Sequence, residues 1–237
     1  MRPIGFSTGA LALSDFSLAV DWLIARNVRT VELSALRMAE LAPLLNAIPN
    51  LNLGTFDHIG VHAPSSFTAD QEPEVVSLLL RHVPKAWPIV LHPDTIHDFS
   101  LWNPFGSQLA IENMDRRKPI GRTVEELEPI FNQLPLASLT FDIGHARQCD
   151  TTMTEAYRIL TRYSDRIAWM HLSEVNTLSH HEPLSYAAIW AFAEVADLIP
   201  ESTPVILESR VPAESISGEI EKAQIALTPV SLHTKTA

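Results

Sequence analysis

Leu139-Thr140-Phe141-Asp142-Ile143-Gly144-His145-Ala146 decides how this chain is read, because it drives a carboxylate into the end of an apolar strand and follows it three residues later with an imidazole. With a side-chain period of two, Leu139 and Phe141 share one face of a strand, and Thr140 and Asp142 share the other. Gly144 then permits a sharp turn before His145. Taken alone, the pair reads equally well as a strand-end carboxylate satisfied by backbone amides beside an incidental histidine. The rest of the chain has to decide between these readings.

Moving outward, short β-branched and aliphatic runs alternate with helical patterns. Strands are predicted at 4–6, 30–33, 59–62, 89–92, 109–112, 139–142, 167–172 and 204–208. Helices are predicted at 14–26, 37–48, 74–83, 123–133, 152–163, 186–198 and 213–226. Thr123-Val124-Glu125-Glu126 and Thr152-Met153-Thr154-Glu155 read as capping boxes. Between the fourth and fifth strands there is room only for a short or irregular helix near 98–102. This alternation predicts a parallel (β/α)8 TIM barrel, one domain over 1–227 followed by a loosely attached tail at 228–237. An open doubly wound sheet shares the same periodicity.

Composition narrows the function classes. At 237 residues and 46% hydrophobic content the chain can bury one large core. A net charge of -11 disfavours duplex DNA and anionic membranes as partners. Cys149 is the only cysteine, which excludes an internal disulfide and fits a reducing compartment. The first residues lack a secretion-signal pattern, and the most apolar long stretch, 187–199, is interrupted by Glu194 and Asp197. A cytoplasmic protein is the expectation; nothing in the sequence sets its oligomeric state.

Glu32, His62, His92, Glu112, Asp142, His171 and Glu208 each stand at or near the C-terminal end of a different predicted strand. A parallel barrel gathers those ends on one rim, where active sites are built. Carboxylates and imidazoles crowded there would repel or demand costly desolvation unless a cation organised them. Mixed oxygen and imidazole donors suit Zn²⁺, Mn²⁺ or Fe²⁺.

In their order these motifs resemble the xylose isomerase-like barrels, in particular the endonuclease IV-like branch also called apurinic endonuclease family 2. The residues that carry the likeness are His62 in Val-His-Ala-Pro, His92 in Leu-His-Pro, Glu112 in Ile-Glu-Asn, Asp142 and His145 in Asp-Ile-Gly-His, His171 in His-Leu-Ser-Glu, and Glu208 in Leu-Glu-Ser. The resemblance implies a divalent metal cofactor, Zn or Mn, with two ions favoured in a range of one to three. His62, His92 and Glu112 would hold one ion, and Glu112 would bridge to a second held by Asp142, His171 and Glu208. His145 and His181 would help hold a third, but Ser179 stands where that branch has an aspartate.

Two chemistries follow from the likeness. In the first, metal-activated water hydrolyses a phosphoester of a small anionic substrate, and Arg116, Arg117, Lys118 and Arg122 just beyond Glu112 supply local positive charge. In the second, a single metal serves a sugar isomerase or epimerase, with Glu112 and Glu208 moving a proton and Glu32 helping to hold a sugar-like substrate. The arginine expected beyond the seventh-strand histidine is Thr177 here. Glu112, Glu208 and His145 are the candidate catalytic residues. A noncatalytic ligand-binding barrel is the third class.

Overall fold

The computed structural model describes residues 2–229. Its strands are β1 (Ile4–Ser7), β2 (Thr30–Ser34), β3 (His58–His62), β4 (Ile89–Leu91), β5 (Leu109–Glu112), β6 (Ser138–Asp142), β7 (Ile167–Leu172), β8 (Glu174–Val175), β9 (His181–Glu182) and β10 (Val205–Leu207). Parallel pairing closes a ring in the order β1-β10-β7-β6-β5-β4-β3-β2, so the first and last predicted strands lie side by side, Ile4 opposite Val205. Closure excludes the open-sheet alternative and puts every strand's C-terminal end on one rim. β8 and β9 form a separate antiparallel hairpin beyond β7.

The helices are α1 (Thr8–Ala12), α2 (Phe16–Ile24), α3 (Met38–Ala47), α4 (Glu72–His82), α5 (Phe99–Trp102), α6 (Val124–Gln133), α7 (Ile143–Cys149), α8 (Thr154–Arg162), α9 (Tyr186–Ala193) and α10 (Ile216–Ala226). Between β4 and β5 lies only the four-residue α5 and a 3-10 segment, as the short spacing requires. Asp15 caps α2, and Thr123 accepts the Glu126 amide at the start of α6. The box expected at Thr152 is absent. Met153 precedes α8 in a left-handed conformation, and Asp150 instead accepts the Glu155 and Thr152 amides.

Most of the apolar core lies between the strands and the surrounding helices. Inside the barrel a small cluster of Val90, Trp169 and Ile206 forms the floor beneath the rim. Gly60 makes room for it, since a Cβ there would come within 2.8 Å of the Trp169 ring. Among the described residues no helix is long and apolar enough to cross a membrane. Of the tail predicted at 228–237, residues 230–237 lie outside the described residues.

Candidate metal centre

The site rises in layers from the barrel floor. The Trp169 indole N–H and the His171 Nε2 both donate to the same oxygen of buried Glu32, each at 2.8 Å. Glu32 therefore faces inward beneath the rim, behind His171, and does not line the open cavity. Because His171 gives its Nε2 proton to Glu32, Nδ1 is the nitrogen presented to Glu112 Oε1 at 3.4 Å and to Glu208 Oε2 at 3.5 Å.

His62 repeats this logic from β3. Its Nδ1 lies 2.6 Å from the Ala63 carbonyl, which can only accept, so Nδ1 carries the proton and Nε2 faces Glu112 Oε2 at 3.3 Å. His92, one residue past β4, brings its Nε2 to the same oxygen at 3.3 Å. The other oxygen of Glu112 meets His145 Nδ1 at 3.3 Å as well as His171. Glu112 is thus a buried carboxylate with a different pair of imidazoles at each oxygen.

Asp142 carries the structural role read from the Asp-x-x-His segment and leaves one oxygen over. Its Oδ1 caps α7 by accepting the His145 amide at 2.7 Å, the structural role, while Oδ2 is buried without a hydrogen bond and lies 3.4 Å from His145 Nδ1. Asn113 pins the strand end by exchanging two hydrogen bonds of 2.8 Å with the Asp142 backbone. Gly144 serves a different purpose from the one predicted. The chain enters a helix here without a positive φ, and glycine is needed because a Cβ would sit 2.4 Å from the Ser173 carbonyl.

His181 arrives on the β8–β9 hairpin, held by Ser173 Oγ at 2.8 Å, with its Nδ1 3.4 Å from Glu208. The Ser179 hydroxyl donates to Asp115 at 2.7 Å and receives a hydrogen bond from Gln148. Sequence reading missed Asp115, Asn113 and Ser173, because nothing in their motifs marks a buried polar role.

Electrostatics follow from this crowding. Burial opposes ionisation of Glu112, but His171 and His92 outweigh it and hold its carboxyl well below the usual range. Burial pushes Asp142 up to about 6, against the pull of His145. Burial works against the His145 imidazolium, yet Asp142 and Glu112 raise it to about 10, whereas burial together with His145 lowers His181 to about 4.

The donor atoms fit a metal. Those of His62, His92 and Glu112 lie within 4.8 Å of one another, as do those of Glu112, Asp142, His171 and Glu208, and those of Asp142, His145 and His181. The structure thus brings together all eight residues expected as ligands, with Asp142 supplying the carboxylate near the two histidines where Ser179 cannot. Buried His171 Nδ1 and Asp142 Oδ2 lack hydrogen-bond partners, which is costly in a site designed to stay empty.

The rim encloses a cavity of about 400 Å³. Of the basic run, Arg117 and Lys118 line it; Arg116 does not, and Arg122 turns away to Glu126, with contacts of 2.5 and 3.0 Å. Arg37 and Arg210 also line the cavity, and their isolated positions in the sequence gave no signal.

A xylose isomerase domain protein from Alicyclobacillus acidocaldarius superposes with a TM-score of 0.59 at 12% identity, covering 96% of this chain and 98% of that one. The fold they share is the closed parallel (β/α)8 barrel. The 3-keto-D-glucoside 4-epimerase YcjR from E. coli gives 0.57 at 12% identity, covering 95% and 99%. SacUVDE gives 0.55 at 12% identity, covering 94% and 98%. No protein-family model and no curated protein matches the sequence.

Proposed function

We propose that this chain is a metal-dependent enzyme that hydrolyses a phosphoester in a small anionic substrate. The observation that carries this reading is Glu112, whose two oxygens face separate imidazole pairs, His62 with His92 and His145 with His171. A carboxylate so placed suits sharing between two cations, the arrangement that in-line attack on a phosphoester uses. His62, His92 and Glu112 would hold one ion and Glu112, Asp142, His171 and Glu208 another, with His145 and His181 available to a third. Bound there, divalent ions would lower the pKa of water and stabilise charge on the phosphoryl oxygens.

The chain's own groups do the rest. Ala63 and Glu32 fix which nitrogens His62 and His171 present. Arg117 and Lys118 stand at the cavity wall to hold non-reacting phosphoryl oxygens. Val90, Trp169 and Ile206 form the apolar floor inside the barrel. Cavity size favours a small molecule over a duplex.

A second reading is a sugar isomerase or epimerase. It is favoured by the fold likeness to YcjR and by the four-residue set of Glu112, Asp142, His171 and Glu208 that one metal would need. The experiment is to load the chain with Zn²⁺ or Mn²⁺ and assay a panel of phosphomonoesters and phosphodiesters, and in parallel ketoses in D₂O. Ester cleavage without carbon-bound deuterium is the expected result. Deuterium uptake into a ketose with no ester cleaved would overturn the hydrolase reading in favour of the second.

A further inference from the structure

The metal-donor sets are confined to one part of the rim. They come from β3, β4, β5, β6, β7, β10 and the segments just after them, including the β8–β9 hairpin, while β1 and β2 supply none. At the ends of those two strands stand hydroxyls: Ser7 Oγ meets Ser34 Oγ at 2.6 Å, and Thr8 Oγ1 accepts the Ser34 amide at 2.9 Å. Gly9 keeps this sector open, since a Cβ would press to 3.1 Å on Leu36 and 3.2 Å on Ser34.

Two arginines bracket the sector. In the ring β1 lies between β2 and β10; Arg37 follows β2 and Arg210 follows β10, and both line the cavity. β5 is diametrically across, and its loop carries Arg117 and Lys118. The two pairs differ in how their charge is used. Arg117 is engaged by Asp115 and the Ser179 carbonyl, and Lys118 by Asp94 at 2.8 Å. Arg37 has only Glu40, one turn on in its own segment, at 3.3 Å with 77% of its side chain exposed. Arg210 has no hydrogen-bond or ion-pair partner among the described residues.

We propose that Arg37 and Arg210 form a second anion subsite over the hydroxyl-lined β1–β2 sector, which takes a phosphate or carboxylate of the substrate other than the phosphoester that is cleaved. This rests on the phosphoester reading and deepens it: the substrate is a small organic phosphoester with a second anionic group. Arg210, left unpaired among the described residues, and Arg37, held only by Glu40, stand beside one cavity in a chain of net charge -11, and such a group matches them in charge and in donor geometry. A cavity of about 400 Å³ limits the whole substrate to small-molecule size.

The test is calorimetric binding to the zinc-loaded full chain, at one fixed free Zn²⁺ concentration, of propyl, butyl and hexyl monophosphate and of the corresponding α,ω-alkanediol bisphosphates. The expected result is that at least one bisphosphate binds on the order of tenfold more tightly than its monophosphate, as a charge-assisted contact provides. Arg37→Ala/Arg210→Ala should abolish that advantage while leaving monophosphate affinity unchanged. Equal affinity of the two series in the unmodified chain, or an advantage that survives the double variant, overturns the subsite alone. Failure of every phosphate compound to bind the zinc-loaded chain overturns the phosphoester reading, and the subsite with it.

Discussion

The two mouths of the barrel both hold cavities ringed by charge. At the N-terminal mouth the cavity measures about 580 Å³ and includes Arg2, Arg26 and Arg29 in its wall; at the C-terminal mouth it measures about 400 Å³. The arginines of the first are committed to the fold. Arg2 donates to the Pro200 and Ile199 carbonyls, Arg26 to the Trp22 carbonyl, and Arg29 makes a two-pronged contact with Asp57. At the second, Asp142 Oδ2 and His171 Nδ1 are buried without hydrogen-bond partners, and Glu112 is surrounded by four imidazoles. The larger cavity is therefore the structural end, and it is the gathering of buried carboxylates and imidazoles, not cavity size, that sets the C-terminal mouth apart.

The strongest way to break this contrast is Glu112→Gln. The change keeps the side chain's size and removes the charge that the two proposed ions would share, so hydrolysis in the zinc-loaded protein should fall on the order of 10³-fold, with metal content falling in step. Retained activity in a chain with native circular dichroism would place the chemistry elsewhere.

Glu32→Gln acts one layer deeper, through His171. Zn²⁺ affinity should weaken by about 10-fold to 100-fold, while KM for a substrate that never reaches Glu32 stays constant at saturating metal. A raised KM with unchanged metal affinity would instead assign Glu32 to the substrate.

Protonation sharpens the contrast in the metal-free chain. His145 is raised to about 10 in the fold, from a usual value near 6.5, once Asp142 and Glu112 overcome the burial penalty. Its contribution to stability is therefore complete below about pH 6.5 and is lost as pH rises through about 10. Metal binding requires the neutral imidazole, so zinc loading at pH 7 should release protons, measurable by calorimetry in buffers of differing ionisation enthalpy. Proton-neutral loading would remove His145 from the site. At the opposite mouth, Arg29→Ala should leave activity and metal content within error of the parent chain, and a loss there would end the distinction between the two rims.

How much of this could be read from sequence depends on distance along the chain. The barrel was legible because each strand announces itself over three to six residues of local pattern, and strand-end polarity then pointed to the rim. Closure itself depends on Ile4 meeting Val205, a contact that no local window contains. The seven-residue α7 escaped notice because it is too short to display a helical period and is capped by the very aspartate that ends the strand. The roles of Asn113, Ser173 and Asp115 arise only from backbone and side chains brought from other strands. The same holds for Arg37 and Arg210: adjacent to β1 only through ring order, they are separated by most of the chain. Arg122 misled for the opposite reason, since a nearby Glu126 one helical turn away captured it locally.

The most direct measurement is a zinc titration of the full-length chain and its Glu112→Gln variant, with bound metal counted after removal of free ion. Two or more equivalents per chain, lost together in the variant, is the result predicted by a carboxylate shared between imidazole pairs. A single equivalent that survives the substitution, or none at all, would contradict it.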